Sequence, residues 1–227
     1  MKVLICATSI EKTMGLYLGQ LKDAGFETQW GQPTSKIGHK GVGWRGKLLW
    51  QREALSGLDS NEQVILSDGW DVVFQGTLQE VEDRFPKPGE ILISGEKCCS
   101  PDRNMQIRYP MGPTPWMFVN SGCIAGLVGD LREEVERGFA ADEQKLLEDD
   151  QRFWTWLFLT GDRIGIDYQC RMFQSTFLQM VGADLGIDSE NRMCNIYTRT
   201  RPNFLHWNGG SNWPDEALEV LGMAVDK

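Results

Sequence analysis

With 227 residues, 41% apolar and 24% charged, the chain has the composition of an ordinary globular protein. That length can bury about seventy per cent of the unfolded surface, which excludes dependence on a disulfide scaffold and excludes disorder as the dominant state. The net charge of −9 argues against broad binding to phosphate backbones, and no apolar run approaches the roughly eighteen residues of a membrane span.

The opening Val3 to Ala7 reads as a buried strand, too short an apolar run for a secretory leader, so a cytoplasmic protein is expected. Glu11 to Ala24 has helical spacing, with Leu16, Leu18 and Leu21 among its apolar positions. Pro33 to Gly46 reads as a Gly-, Ser- and Lys-rich loop, and Lys47 to Leu55 as a helix. Gln63 to Leu66 is a predicted strand, Asp68 to Asp71 a turn, and Val72 to Phe74 a brief extended continuation. Leu78 to Phe85 reads as a short helix closed by Pro86 and Pro88, and Glu90 to Ser94 as a strand. Cys98 to Trp116, rich in proline, is expected to be a surface loop. Phe118 to Leu127 has strand character interrupted by glycines, Leu131 to Phe139 is a polar helix, and Asp149 to Leu159 a helix with an aromatic face. Arg163 to Asp167 and Phe204 to His206 complete the predicted strands. The alternation indicates an α/β protein with a central, mostly parallel sheet in a single domain over residues 1–227. The six cysteines show no C-x-x-C pair and read as reduced thiols.

Gly41-Val-Gly-Trp-Arg-Gly46-Lys47 satisfies seven positions of a phosphate-binding P-loop. The eighth requires Ser or Thr, and Leu48 stands there, while the preceding Thr34 to Lys40 is too polar for a buried strand. An ATPase is therefore excluded.

The segment Val64-Ile-Leu-Ser-Asp68-Gly69-Trp70-Asp71-Val-Val-Phe74 carries more. An apolar strand runs into two carboxylates three residues apart, and Gly69 permits a turn that converges them outside the strand's carboxyl end, where α/β sheets place ligands. Converging carboxylates repel unless a cation lies between them, and Mn²⁺ or Mg²⁺ suits such a set. The same tetrad also reads as a plain turn in which the two aspartates cap backbone amides. Leu205-His206-Trp207-Asn208-Gly209-Gly210 sets a histidine at a strand end before glycines. An imidazole joining two carboxylates favours Mn²⁺, and the glycine amides suit phosphate oxygens, although a lone histidine is more often a satisfied structural residue. In Leu147-Glu-Asp149-Asp150-Gln151 one aspartate reads as an N-cap and the other as facing a cleft.

Taken in order, these pieces resemble the glycosyltransferase domain of the procollagen-lysine hydroxylases. The resemblance runs through Ala7-Thr8, the Gly-rich loop to Lys47, Ser67-Asp68-Gly69-Trp70-Asp71-Val72-Val73-Phe74 and Ile93-Ser94-Gly95-Glu96. It continues in Tyr109-Pro110, Val119-Asn120-Ser121-Gly122, Asp149-Asp150-Gln151, Ile166-Asp167, Met172-Phe173-Gln174 and His206-Trp207-Asn208-Gly209. It implies a GT-A-type, Rossmann-like nucleotide-sugar-binding fold and Mn²⁺-dependent transfer of a hexose from a UDP-sugar to a hydroxyl, such as that of hydroxylysine. It implies Asp68, Asp71 and His206 as metal ligands, with Mg²⁺ as the alternative ion. Cys6, Ala7 and Thr8 would hold uridine, with Trp70 stacked on uracil. Asn208, Gly209, Gly210, Ser211 and Asn212 would grip the diphosphate beside Asp68 and Gly69, and Asp149 and Asp150 would line the sugar and acceptor site. The family places Lys where Asn212 stands, so Lys47 or Arg45 is expected to meet one phosphate charge. The Trp-bearing loop of the family is here Cys98-Cys99-Ser100-Pro101. Alternative acceptors are a hydroxymethylated DNA base, which the basic strip Lys36, Lys40, Arg45 and Lys47 would serve, or a glycan. A noncatalytic UDP-sugar-binding module is the other alternative.

Overall fold

The computed structural model describes residues 1–7, 12–32, 44–143, 145–177 and 184–208. The first half of the chain forms β1 (Lys2–Cys6), α1 (Lys12–Asp23), β2 (Glu27–Gly31), α2 (Trp44–Ser56), β3 (Gln63–Asp68), β4 (Val72–Phe74), α3 (Leu78–Glu82) and β5 (Ile91–Glu96). A long strand β6 (Phe118–Leu127) leads into α4 (Val128–Phe139) and α5 (Asp150–Thr160). Five three-residue strands follow: β7 (Ile164–Ile166), β8 (Phe173–Ser175), β9 (Leu185–Ile187), β10 (Met193–Asn195) and β11 (Phe204–His206).

Six strands form a central sheet in the order β2-β1-β3-β6-β5-β7. Only β6 runs against the rest, antiparallel to β3 and to β5, so the sheet is mostly parallel. Residues of β1 and β3 alternate between two cores because successive side chains leave a strand on opposite faces. Leu4, Val64 and Leu66 pack with Leu48 of α2, Leu131 of α4 and Phe153 of α5. Val3, Ile5 and Ile65 pack instead with Met14, Tyr17 and Leu21 of α1. Covering both faces explains why β1 and β3 read as continuous apolar runs rather than alternating ones.

On the α1 side a second sheet, β4-β11-β8, is held by aromatic rings. The Phe204 ring lies 5.1 Å from that of Phe74 and 5.7 Å from that of Phe173, and Phe26 lies 5.2 Å from Phe74. Such contacts add about 0.5–1.5 kcal/mol each beyond simple burial, which fixes β11 and the histidine at its end.

Several elements depart from the sequence expectations. β2 is a strand that the sequence did not announce: Glu27-Thr-Gln-Trp-Gly is an exposed edge with no apolar alternation, and charge on such an edge discourages further pairing. The helices α2 and α4 begin at Trp44 and Val128, each three residues earlier than expected, and α3 ends at Glu82. The Cys98–Trp116 stretch is only partly a surface loop. Ile107 and Met111 are exposed, but Tyr109 and Trp116 are buried, and residues Arg103–Arg108 form a 3-10 turn. The Tyr109 hydroxyl accepts from the Val119 amide at 3.3 Å and is 3.1 Å from Thr155 Oγ1, which ties the segment to β6 and α5. Among the described residues no helix is long and apolar enough to cross a membrane. Most of the predicted loop at 33–46, with Lys36 and Lys40 of its basic strip, lies outside them.

Candidate active site and metal centre

β3 ends at Asp68, paired with Cys6 at the end of β1, and the chain then crosses from the central sheet to the second one. Gly69 makes the crossing feasible: a Cβ there would stand 2.8 Å from Ala7 Cβ and 3.0 Å from Ile5 Cγ2. Asp71 immediately precedes β4, and β11 pairs antiparallel with β4 so that His206 faces Val72. The Trp207 amide donates to the Asp71 carbonyl at 2.6 Å. This register brings His206 Nε2 to 3.3 Å from Asp71 Oδ2 and 3.5 Å from Asp68 Oδ2. One ligand atom from each of the three residues falls within 4.8 Å of the others.

The tautomer of His206 follows from its neighbours. Asn120 Nδ2 donates to Glu96 Oε2 at 3.0 Å, and Asn120 Oδ1 accepts from the Gly122 amide at 3.0 Å. The Asn120 oxygen therefore faces His206 Nδ1, 2.9 Å away, and Nδ1 must carry the proton. Nε2 is the nitrogen left facing the two carboxylates, the orientation in which an acceptor on the other ring nitrogen holds a metal-binding imidazole. Burial disfavours the imidazolium, yet Asp71 and Asp68 together push the His206 pKa up, the response of a ring facing concentrated negative charge. Asp68 is itself pushed up by burial, against the pull of Lys47 and His206. For Asp71, His206 outweighs burial and the pKa falls. The residue types, the tautomer and the unbalanced negative charge all fit a divalent ion, with the nitrogen donor favouring Mn²⁺.

Lys47, expected to meet a phosphate or to extend a basic strip, is corrected by the structure. It is 5% exposed, and its Nζ lies 2.6 Å from Asp150 Oδ2, 2.7 Å from Asp68 Oδ1 and 3.2 Å from the Ser121 carbonyl. Its three N–H groups thus meet three acceptors, and the two carboxylates outweigh burial to hold the ammonium charged. Arg45 is exposed.

The two aspartates before α5 divide as the sequence allowed. Asp149 is the N-cap, its Oδ1 accepting from the Arg152 amide at 2.9 Å, and burial raises its pKa. Asp150 begins the helix, is buried, and pairs with Lys47. Both line a cavity of about 240 Å³, along with Asp68, Asp71 and His206.

The floor of that cavity is organised by residues that entered the sequence reading only as parts of matched segments. Glu96, 1% exposed, accepts from Gln151 Nε2 at 2.8 Å, Asn208 Nδ2 at 2.8 Å and Asn120 Nδ2 at 3.0 Å. Burial lifts its pKa against these donors. Asn208, expected at the diphosphate, directs its side chain to Glu96, to Ser175 Oγ at 2.8 Å and to the Phe177 amide at 3.0 Å.

Cys6 and Ala7 are buried at the end of β1, next to Asp68 and Gly69, with Trp70 43% exposed in the turn. Burial pushes the Cys6 thiol up to about 12, so it is not a nucleophile. All six cysteines are unpaired. Thr8, Gly209, Gly210, Ser211 and Asn212 lie outside the described residues.

The profile of the family described as "PLOD GT domain" matches residues 7–223. An uncharacterized protein of Acanthamoeba polyphaga mimivirus is 31% identical over 159 residues, which is 69% of this chain and 33% of that one. The multifunctional procollagen lysine hydroxylase and glycosyltransferase LH3 of Homo sapiens is 27% identical over 228 residues, covering 92% of this chain and 30% of that one. The chain thus spans about a third of the length of these two relatives. Among solved structures, a glycosyltransferase involved in glycosylation of the major capsid of PBCV-1 aligns with a TM-score of 0.56 at 11% identity, over 97% of this chain and 96% of that one. The WbbM bifunctional glycosyltransferase aligns with a TM-score of 0.57 at 12% identity, over 97% of this chain and 49% of that one. At these identities the likeness is one of fold, and the fold is the GT-A-type, Rossmann-like one.

Proposed function

The chain belongs to the family of PLOD glycosyltransferase domains and is a glycosyltransferase, and from that premise we propose that it moves a hexose from a UDP-sugar to a hydroxyl acceptor with the help of Mn²⁺. The observation that carries this reading is the convergence of Asp68, Asp71 and Nε2 of His206 beside a cavity lined by Asp149 and Asp150. Relatives named as procollagen lysine hydroxylase and glycosyltransferase make hydroxylysine, or a sugar already attached to it, the first acceptor to test. We also take residues 1–227 as one domain, since the family match runs almost from end to end.

Asp68, Asp71 and His206 would hold the ion. When bound, a divalent cation supplies fixed positive charge against the negative charge that gathers on a departing diphosphate. Trp70 offers an indole face beside the end of β1, where a uracil ring can stack while the backbone of Cys6 and Ala7 borders its edge. Asp150, paired with Lys47, presents its carboxyl group to the same cavity near the sugar. Burial raises the Asp149 pKa, which suits its carboxylate to accept a proton. If transfer inverts the anomeric centre, Asp149 takes the acceptor's proton. If it retains configuration, the two carboxylates stabilise an oxocarbenium-like centre instead.

UDP release from UDP-glucose and UDP-galactose, measured with Mn²⁺ and again with a chelator, tests the reading. Release should need the metal, and Asp71→Ala should lower it by about 10²-fold or more while abolishing metal-dependent UDP binding. Metal-dependent UDP binding left unchanged by that substitution would remove the proposed ligand set.

A further inference from the structure

Among the described residues, Lys47 is the one buried cation in contact with both halves of the proposed machinery. It reaches Asp68 from the metal side and Asp150 from the acceptor side, with the Ser121 carbonyl of β6 taking its third N–H. Its partners are distant in sequence, separated from it by 74 residues to Ser121 and 103 to Asp150, so nothing local would assemble this contact. The ammonium takes a different oxygen of Asp68 from the one that faces His206: Oδ1 binds Lys47, while Oδ2 lies toward the imidazole.

We propose that Lys47 is a positioning residue that clamps Asp68 and Asp150 together, restricting Asp68 to a single oxygen toward the metal and aiming Asp150 at the sugar. The proposal rests on the transferase reading and deepens it. An ordinary structural lysine would do no more than neutralise its partners. A clamp carries a cost as well, because it holds a positive charge within a few ångströms of where a dication must sit. It therefore weakens metal binding in exchange for geometry at Asp150, and the two effects have opposite signs on removal.

Lys47→Met separates them. Manganese titration followed by electron paramagnetic resonance should show tighter Mn²⁺ binding, by about tenfold, since a repelling charge is gone and Asp68 regains its second oxygen. Turnover of the UDP-sugar should fall by about 10²-fold at unchanged UDP affinity, because Asp150 is no longer aimed. Asp150→Asn should also lower turnover, and the double variant should be no slower than the slower single one, as expected of residues acting through one contact.

Mn²⁺ affinity that fails to rise in Lys47→Met, or losses that multiply in the double variant, would overturn the clamp. Where Lys47→Met shows no cooperative melt, Lys47→Arg carries the test. It keeps the charge, so Mn²⁺ affinity should stay at the wild-type value. A planar guanidinium cannot meet the same three acceptors, so turnover should drop, and full turnover would refute the clamp. A wild-type protein that binds no Mn²⁺ would defeat the transferase reading and the clamp with it. Wild-type binding that does not tighten in Lys47→Met would defeat the clamp alone.

Discussion

Gly122 occupies β6 where the His206 ring passes: a Cβ there would lie 2.1 Å from Cε1 and 2.2 Å from Nδ1. No rotamer adjustment absorbs overlap of that size in a ring also bonded to Asn120, so Gly122→Ala should displace the imidazole. We expect Mn²⁺ affinity to fall by at least about tenfold in a protein that still melts cooperatively. Retained affinity would show that the ring is not confined as described. This requirement is invisible in the sequence, where Gly122 is one of 25 glycines. Asp68, Asp71 and His206 were legible because their residue types and strand-end positions declare a chemistry. Glu96 and Asn120 were not, since an isolated carboxylate or amide on a strand acquires meaning only from what lies opposite.

At the scale of elements, the pairing of β4 with β11 decides the site, because a shift of one residue would turn His206 to the other face of the sheet. A second device secures that region from below. Thr77 and Glu80 form a capping box on α3, and Glu80 also receives both terminal nitrogens of Arg192, at 2.8 and 3.1 Å, from the segment leading into β10. Burial works against the Glu80 carboxylate, but Arg192 and the Thr77 amide overcome it and hold the pKa below the ordinary 4.5. Its stabilising contribution is therefore complete above the unfolded pKa and lost as pH drops through the lower folded one. Glu80→Gln should cost about 1 kcal/mol near neutrality, allowing for solvent screening. The gap in denaturation midpoint between the two proteins should close as the pH is lowered below about 4. A gap that stays constant in acid would assign the loss to shape rather than charge. Elements with strong periodicity, such as α5 and β3, were readable in advance, but β8, β9 and β10 were not. Each has only three residues and pairs only with other three-residue strands, so its existence depends on partners outside its own segment.

Across the whole molecule, the proposed metal centre joins two layers. Asp68 ends a strand of the central sheet, while Asp71 immediately precedes one strand of the second sheet and His206 ends another. A ligand that bridges layers stabilises the folded state by mass action, by about 2.7 kcal/mol at a hundredfold excess over its Kd. For a chain of this size that corresponds to a rise in Tm of roughly 5–10 °C. Scanning calorimetry with Mn²⁺ should show that rise in the wild type and none in Asp71→Ala. An equal rise in both would place manganese elsewhere.

The chain by itself determined its chemical vocabulary: an α/β alternation, two aspartates around a glycine turn, a histidine at a strand end, and an acidic pair at a helix start. These are legible because each depends on neighbours within a few residues, where backbone geometry ties spacing to direction. The tertiary structure alone decided who partners whom. It turned Lys47 from a phosphate's counterion into the bridge between two carboxylates, and it made Glu96 the anchor for amides drawn from three separate segments. Such allegiances follow from burial, where a charge must find its opposite wherever the fold has brought one. That distance through space is not written in distance along the chain.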